Sequence, residues 1–296
     1  MDWNYFAGQV INGLQLGLVY ALIALGYTMV YGIVKLINFA HGDVFMVGAF
    51  IGYFGFVHWG LPWPLAVLVS MAVCALLGVT IERVAYRPLR YAPRIVALIS
   101  AIGVSFFLEY FCSLSFVFGA DYRIVPRPME DVVWRLGSVS VTNVQVLIMV
   151  VVMAMLVLLQ WLVYRTRIGA AMRTVSYDHD TARLMGVDVD RTISITFAIG
   201  SALAAVGGIL YSIAYPQIDT FMGVIPGLKA FTAAVLGGIG LIPGAVLGAL
   251  IMGQVEVMTA AYISSQMRDA VAFAILILVL LVRPSGILGR TEPEKV

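Results

Sequence analysis

Glu109, Lys229 and Glu256 lie deep inside otherwise apolar runs of this sequence. His41 and Asp43 stand together at the head of another such run, with Asn38 just before them, and Gln15, Gln145 and Gln254 add amides. Ionisable groups at membrane depth are costly and are by default candidates for a solute or ion path. For Glu109, a purely structural partner on a neighbouring helix is an equal alternative. Lys229 and Glu256 have opposite charge and could pair. His41, His58 and His179 are scattered, so no chain of groups suited to a proton relay is present. Catalytic spacings are missing as well: there is no H-E-x-x-H, no P-loop, no Cys/His metal pattern and no G-x-S-x-G. The sequence thus carries no ATP site of its own, and neither enzyme activity, a cofactor nor a metal is expected. Cys74 and Cys112 sit in apolar runs and read as small hydrophobes.

The elements that must position these groups are membrane helices. Of 296 residues, 61% are hydrophobic and 11% charged, where a soluble domain carries roughly 25% charged residues. The mean hydropathy is +0.98. Residues 3–34, 44–81, 136–164, 192–218 and 230–255 contain no Asp, Glu, Lys or Arg. A crossing helix needs about 20 apolar residues, so each run spans the membrane at least once. The net charge of +2 gives no nucleic-acid signature. The start Met1-Asp2-Trp3-Asn4 lacks the basic residues of a cleavable signal, so the first helix is expected to be retained.

Dividing the runs at Pro, Gly and charged positions predicts crossings near 7–34, 43–58, 64–82, 95–118, 144–164, 194–215, 226–242, 243–263 and 267–283. The expected fold is an all-α, polytopic transmembrane bundle of nine crossings, give or take one. The whole chain, 1–296, reads as one domain. Arg83, Arg87, Arg90 and Arg94 crowd one short loop, and five arginines fall in 165–191. Lys/Arg excess marks the cytoplasmic side. Thirteen of the 18 basic residues then lie inside, with the N-terminus outside, the C-terminus inside and 290–296 as a solvated tail. Segments 43–58 and 226–242 are short and rich in glycine, and read as broken or re-entrant helices surrounded by protein.

A candidate internal repeat has an offset of 181 residues: between 21–50 and 202–231, eight of 30 positions are identical, Gly42/Gly223 among them. The first copy starts outside and the second inside, the relation of inverted repeats in transporters. Small residues four apart let membrane helices approach closely. Gly240, Gly244 and Gly248 form such a ladder, as do Gly13 and Gly17. They suit packing within the chain or contact with a partner subunit. Pro243 predicts a sharp turn near 241–244.

The inner loop contains a short helix of its own. Ser176 is placed to cap it, Asp178 and Asp180 occupy its first turn, Arg183 lies toward its end and Gly186 stands where a helix terminates. Ala182, Leu184 and Met185 offer an apolar surface suited to docking a cytoplasmic partner, the alternative being a helix lying on the bilayer.

Asp180-Thr181-Ala182, three residues, then Gly186 resembles the E-A-A-x-x-x-G signature by which permeases of ATP-binding-cassette importers engage their ATPases, with Asp for Glu and Thr for Ala. The runs Ile37-Asn38-Phe39-Ala40-His41-Gly42-Asp43, Ile81 to Arg90, Ala97 to Gly103, Lys229 to Gly240 and Arg283 to Gly289 resemble LivH-type permeases of bacterial branched-chain amino-acid importers, in order over nearly the whole chain. The resemblance implies an inner-membrane permease for leucine, isoleucine and valine. Its implied partners are a second, LivM-type permease, two cytoplasmic ATPase subunits and a periplasmic binding protein. It also makes 165–193 the coupling loop, with Asp180, Thr181, Ala182, Arg183 and Gly186 as its contact residues. Related permeases carry urea or short amides. A secondary transporter or channel working alone is the competing class.

Overall fold

A computed structural model describes residues 3–90, 92–130, 132–136 and 139–289. The start Met1-Asp2 and the tail 290–296 lie outside the described residues. The chain forms α1 (Trp3–Val34), α2 (His41–Val57), α3 (Trp63–Ile81), α4 (Arg94–Cys112), α5 (Asn143–Arg165), α6 (Arg167–Tyr177), α7 (His179–Leu184), α8 (Val189–Ala214), α9 (Val224–Gly237), α10 (Ile242–Tyr262) and α11 (Arg268–Val282). Seven of these, α1, α3, α4, α5, α8, α10 and α11, are long and apolar enough to cross a membrane. α2 and α9 are shorter, with 17 and 14 residues. They are continuous helices rather than broken ones, because their glycines are spent on close contacts and not on interruptions.

Local chemistry sets the boundaries. Thr142 and Gln145 form a reciprocal capping box at the start of α5. Proline stands in the first turn of α3 and of α10, where its missing N–H costs nothing. α1 stops at Lys35, the one described non-glycine residue with positive φ, +57°. α3 continues through a π-helical turn at Glu82–Tyr86 and a tighter turn at Arg87–Leu89.

The short strands lie outside the bundle. β1 (Arg123–Ile124) pairs with β4 (Gln217–Ile218), and β2 (Val133–Leu136) with β3 (Val139–Thr142), both antiparallel. The β1–β4 pair ties loop 113–122 to loop 215–223 on one face of the molecule. Arg87 and Arg90 meet Asp190 on the opposite face, which brings the two arginine-rich loops together.

α1 and α8 form the buried centre, while α4, α5 and α11 turn large apolar side chains outward. α1 packs along α10 as α8 packs along α3, and α1 touches α9 as α8 touches α2. This exchange is what an inverted repeat produces. Moving α2 by 181 residues gives 222–238, against 224–237 for α9, and moving α3 gives 244–262, against 242–262 for α10. The repeat-equivalent Gly42 and Gly223 touch each other directly, as residues on a two-fold axis must. A Cβ on Gly42 would lie 2.6 Å from Gly223 O and 3.2 Å from Gly227 Cα.

Since both neighbours of Gly42 are backbone, neither can swing aside. Gly42→Ala is expected to lower stability by about 1–3 kcal/mol through forced separation of α2 and α9. Gly103→Ala meets nothing within 4 Å and is expected to be neutral or to gain up to about 1 kcal/mol from helix propensity. Thermal unfolding of the two variants in detergent measures the contrast.

Candidate functional site

The ionisable residues singled out at membrane depth fall into two separate groups. The first is a charge network across four helices. Lys229 Nζ, on α9, donates to Glu256 Oε1, on α10, at 2.8 Å. Tyr20 of α1 donates its hydroxyl to Glu256 Oε2 at 3.0 Å. From α11, Arg268 Nε lies 3.1 Å from Glu256 Oε1, and Asp269 Oδ1 lies 2.7 Å from Lys229 Nζ. Lys229 is 1% and Glu256 2% exposed. Two cations thus face two anions, and the group as a whole is neutral. A buried ion is tolerable only with such partners.

The second group surrounds the start of α2. Asp43 accepts from the Ser105 hydroxyl of α4, with the Glu109 carboxyl beside it. His41 packs edge-on against Tyr27, ring centres 4.8 Å apart, and its Nε2 fills the space that a side chain at Gly26 would need. Gly26 is also where α1 crosses α8 at Gly200, so the crossing and the histidine are mutually dependent. Asn38 takes no part in either group. Its Oδ1 accepts from the Tyr86 hydroxyl at 3.0 Å, pinning the α1–α2 loop to the π-helical turn.

The small residues act within the chain. Gly244 and Gly248 face Gly237 and Ala233 of α9, and Gly253 meets Gly13 and Gly17 of α1. Gly240 is not a rung of the ladder: it lies in the α9–α10 turn with φ +96°, beside Gly32.

The short helix of the inner loop is α7, and its cap differs from the sequence expectation. Asp178, not Ser176, accepts the Thr181 N–H at 2.6 Å, while the Ser176 hydroxyl donates to Arg173 O. Ser176 is still inside α6, whose last turn takes up its hydroxyl. The Thr181 N–H holds the exposed Asp178 carboxyl below its usual pKa, so this cap is fully formed above the ordinary carboxylate range and lost as pH falls through the lowered value. At the other end, Gly186 has φ +80°. Its N–H donates to Arg183 O and that of Val187 to Ala182 O, both at 3.0 Å, closing a Schellman motif. Ala182 is buried and does not contribute to the docking surface, because it faces the body of the protein. Leu184, Met185 and Tyr177 do protrude, 88%, 76% and 93% exposed. Asp180 and Arg183 pair on the exposed side, and His179 Nε2 lies 3.0 Å from Ile33 O at the end of α1.

Residues 9–280 match the model of a family described as branched-chain amino acid transport system / permease component. The chain belongs to this permease family. It is 45% identical to the high-affinity branched-chain amino acid transport system permease protein LivH of Escherichia coli K12, over 99% of this chain and 98% of that protein. It is 44% identical to the corresponding BraD of Pseudomonas aeruginosa, over the same shares. Among solved structures it is similar to a chain of PsaBC from Streptococcus pneumoniae in complex with Fab. That match has a TM-score of 0.50 at 11% identity and covers 96% of this chain and 94% of that one, a likeness of fold alone.

In this permease, one cluster has no counterpart in the sequence reading. Glu82, fully buried, pairs with Arg90 and accepts from the Ser194 hydroxyl at 2.7 Å, while Arg90 and Arg87 both reach Asp190. It joins the end of α3 to the start of α8, immediately after α7. Glu82 and Arg90 stand eight residues apart across an irregular turn, so no helical or strand period brings them together. Asp190 lies a hundred residues further on. Arg268 and Asp269 were equally hidden, since they open a helix and look like ordinary end charges.

Lys229→Met leaves a buried carboxylate with a partner removed, and is expected to destabilise the permease by about 3–5 kcal/mol. Adding Glu256→Gln to the same chain should restore part of that loss. Thermal unfolding of both variants in detergent measures it, and a double variant no more stable than Lys229→Met would sink the pairing.

Proposed function

We propose that this chain is one half of the pore of an ATP-driven, binding-protein-dependent importer that carries leucine, isoleucine and valine across the bacterial inner membrane. The identity of 45% over 99% of the chain to a LivH permease carries this reading. A second permease of LivM type completes the pore, two cytoplasmic ATPase subunits drive it and a periplasmic binding protein delivers the solute. ATP hydrolysis takes place in those separate subunits.

Sidedness follows from charge. The loop after α3 and the α5–α8 loop share a face through the Arg87–Asp190 pair, and the segment 283–289 reaches the same face by bonding to the end of α9. That face is cytoplasmic by its arginine excess, so the N-terminus is periplasmic. α7 presents Leu184 and Met185 outward on that face, where an ATPase subunit can seat them. Asp180, Thr181, Ala182, Arg183 and Gly186 shape this contact rather than all touching the partner. Asn38, His41, Asp43 and Glu109 hold the start of α2, and Lys229 with Glu256 holds α9 and α10, beside the path.

The test is uptake of labelled leucine, valine, urea and acetamide by proteoliposomes holding the complete complex. Leucine and valine should accumulate only with ATP and binding protein. Uptake confined to urea or acetamide, or leucine accumulation without ATP, contradicts the reading.

A further inference from the structure

A cleft of about 470 Å³ opens at the ends of α1, α8, α10 and α11, on the face opposite the arginine-rich loops. Gln9, Asn12 and Gln15 follow one another at a spacing of three along α1 and make one wall polar. This wall is pre-set: Gln145 Nε2 donates to Asn12 Oδ1 at 2.7 Å, and Asn12 Nδ2 to Gln9 Oε1 at 3.3 Å. Val257, Ala260 and Ala261 make the α10 wall aliphatic, and Tyr5, Leu16, Ala214 and Tyr215 complete the lining. Between the two walls lie Glu256 and Arg268.

Amides inside a bilayer need partners, and hydrocarbon supplies none. Gln9, Asn12 and Gln145 meet part of this need among themselves, and the wall's remaining polar atoms face the open cleft, where water or solute meets them. The charges of the cleft narrow what that solute can be. Both Glu256 oxygens are already engaged, by Lys229, Arg268 and Tyr20. Arg268 turns its Nε inward but remains 44% exposed, so its outer edge is open to a carboxylate. Amide carbonyls on the facing wall suit an ammonium group. Lys229 and Arg268 already balance Glu256 and Asp269, so an ion of either sign would bring an uncompensated charge, whereas a zwitterion would not. The alanines leave room for a branched side chain.

We propose that this cleft is a substrate site on the outer side of the permease, where a zwitterionic aliphatic amino acid places its carboxylate on Arg268, its ammonium on the amides of α1 and its side chain against α10. The proposal rests on the reading of the chain as a branched-chain amino-acid permease and adds the residues that receive the solute.

The experiment compares the complete importer with its Arg268→Gln and Gln15→Leu variants in proteoliposomes, measuring leucine uptake and binding-protein-stimulated ATP hydrolysis side by side. Loss of one charge-assisted contact should lower uptake about tenfold in Arg268→Gln, with a smaller fall in Gln15→Leu. Hydrolysis should fall less than uptake in Gln15→Leu, which leaves the charge network intact. Unchanged uptake in both variants overturns the site while leaving the transport reading in place. Parallel loss of uptake and hydrolysis in Gln15→Leu also overturns it, since that marks a structural joint. Failure of the unaltered complex to import leucine overturns the transport reading itself.

Discussion

A charge inside a bilayer has to find its partner within the protein, and Glu256 is where this chain meets that requirement most fully. Its carboxylate gathers Tyr20 from α1, Lys229 from α9 and Arg268 from α11 around α10. α1, α9 and α10, which also pack through close glycine contacts, are tied together and to α11 by one neutral cluster. Removing any single charged member leaves an uncompensated charge in the cluster, so its members hold one another in position.

Where charges are absent, the backbone takes over. Lipid tails compete for apolar side chains as well as any helix does, so cohesion depends on close approach. Gly26 against Gly200 joins α1 to α8, Gly42 against Gly223 joins α2 to α9, and Gly253 against Gly13 and Gly17 joins α10 to α1. The glycines at 42 and 223 are also equivalents under the 181-residue offset. The two-fold relation therefore runs through the point of tightest contact between the short helices. The charged groups do not obey the repeat: Lys229 and Glu256 correspond to Gly48 and Ala75. The packing of α1–α3 and α8–α10 follows the offset, and the polar content does not.

Much of this was readable in the sequence because hydrocarbon imposes simple rules. Charge-poor stretches mark all seven long apolar helices, and the two short segments fall where α2 and α9 are found. The Lys229–Glu256 pair was readable because only three ionisable residues lay so deep. What could not be read was anything set by contacts between distant segments. Asp190 reaching Arg90, or Arg268 closing over Glu256, leaves no periodic trace. Short-range chemistry also misleads: Ser176 has the right type for a cap, but Asp178 lies two residues closer to the helix and takes the Thr181 N–H. Ala182 reads as surface in the sequence because a six-residue helix has too little length to reveal its inner face.

In the importer proposed above, ATP is hydrolysed in separate subunits, so motion has to enter this chain from outside. That proposal makes α7 the point of entry: its tip protrudes, its base meets the end of α1 through His179, and α8 follows it directly into the Glu82–Arg90–Asp190 cluster. Its shape depends on Gly186, whose φ of +80° and donated hydrogen bond proline cannot supply. The most direct measurement is binding-protein-stimulated ATP hydrolysis by the complete complex carrying Gly186→Pro. The account predicts that stimulation is lost while the permease stays folded, and undiminished stimulation would contradict it.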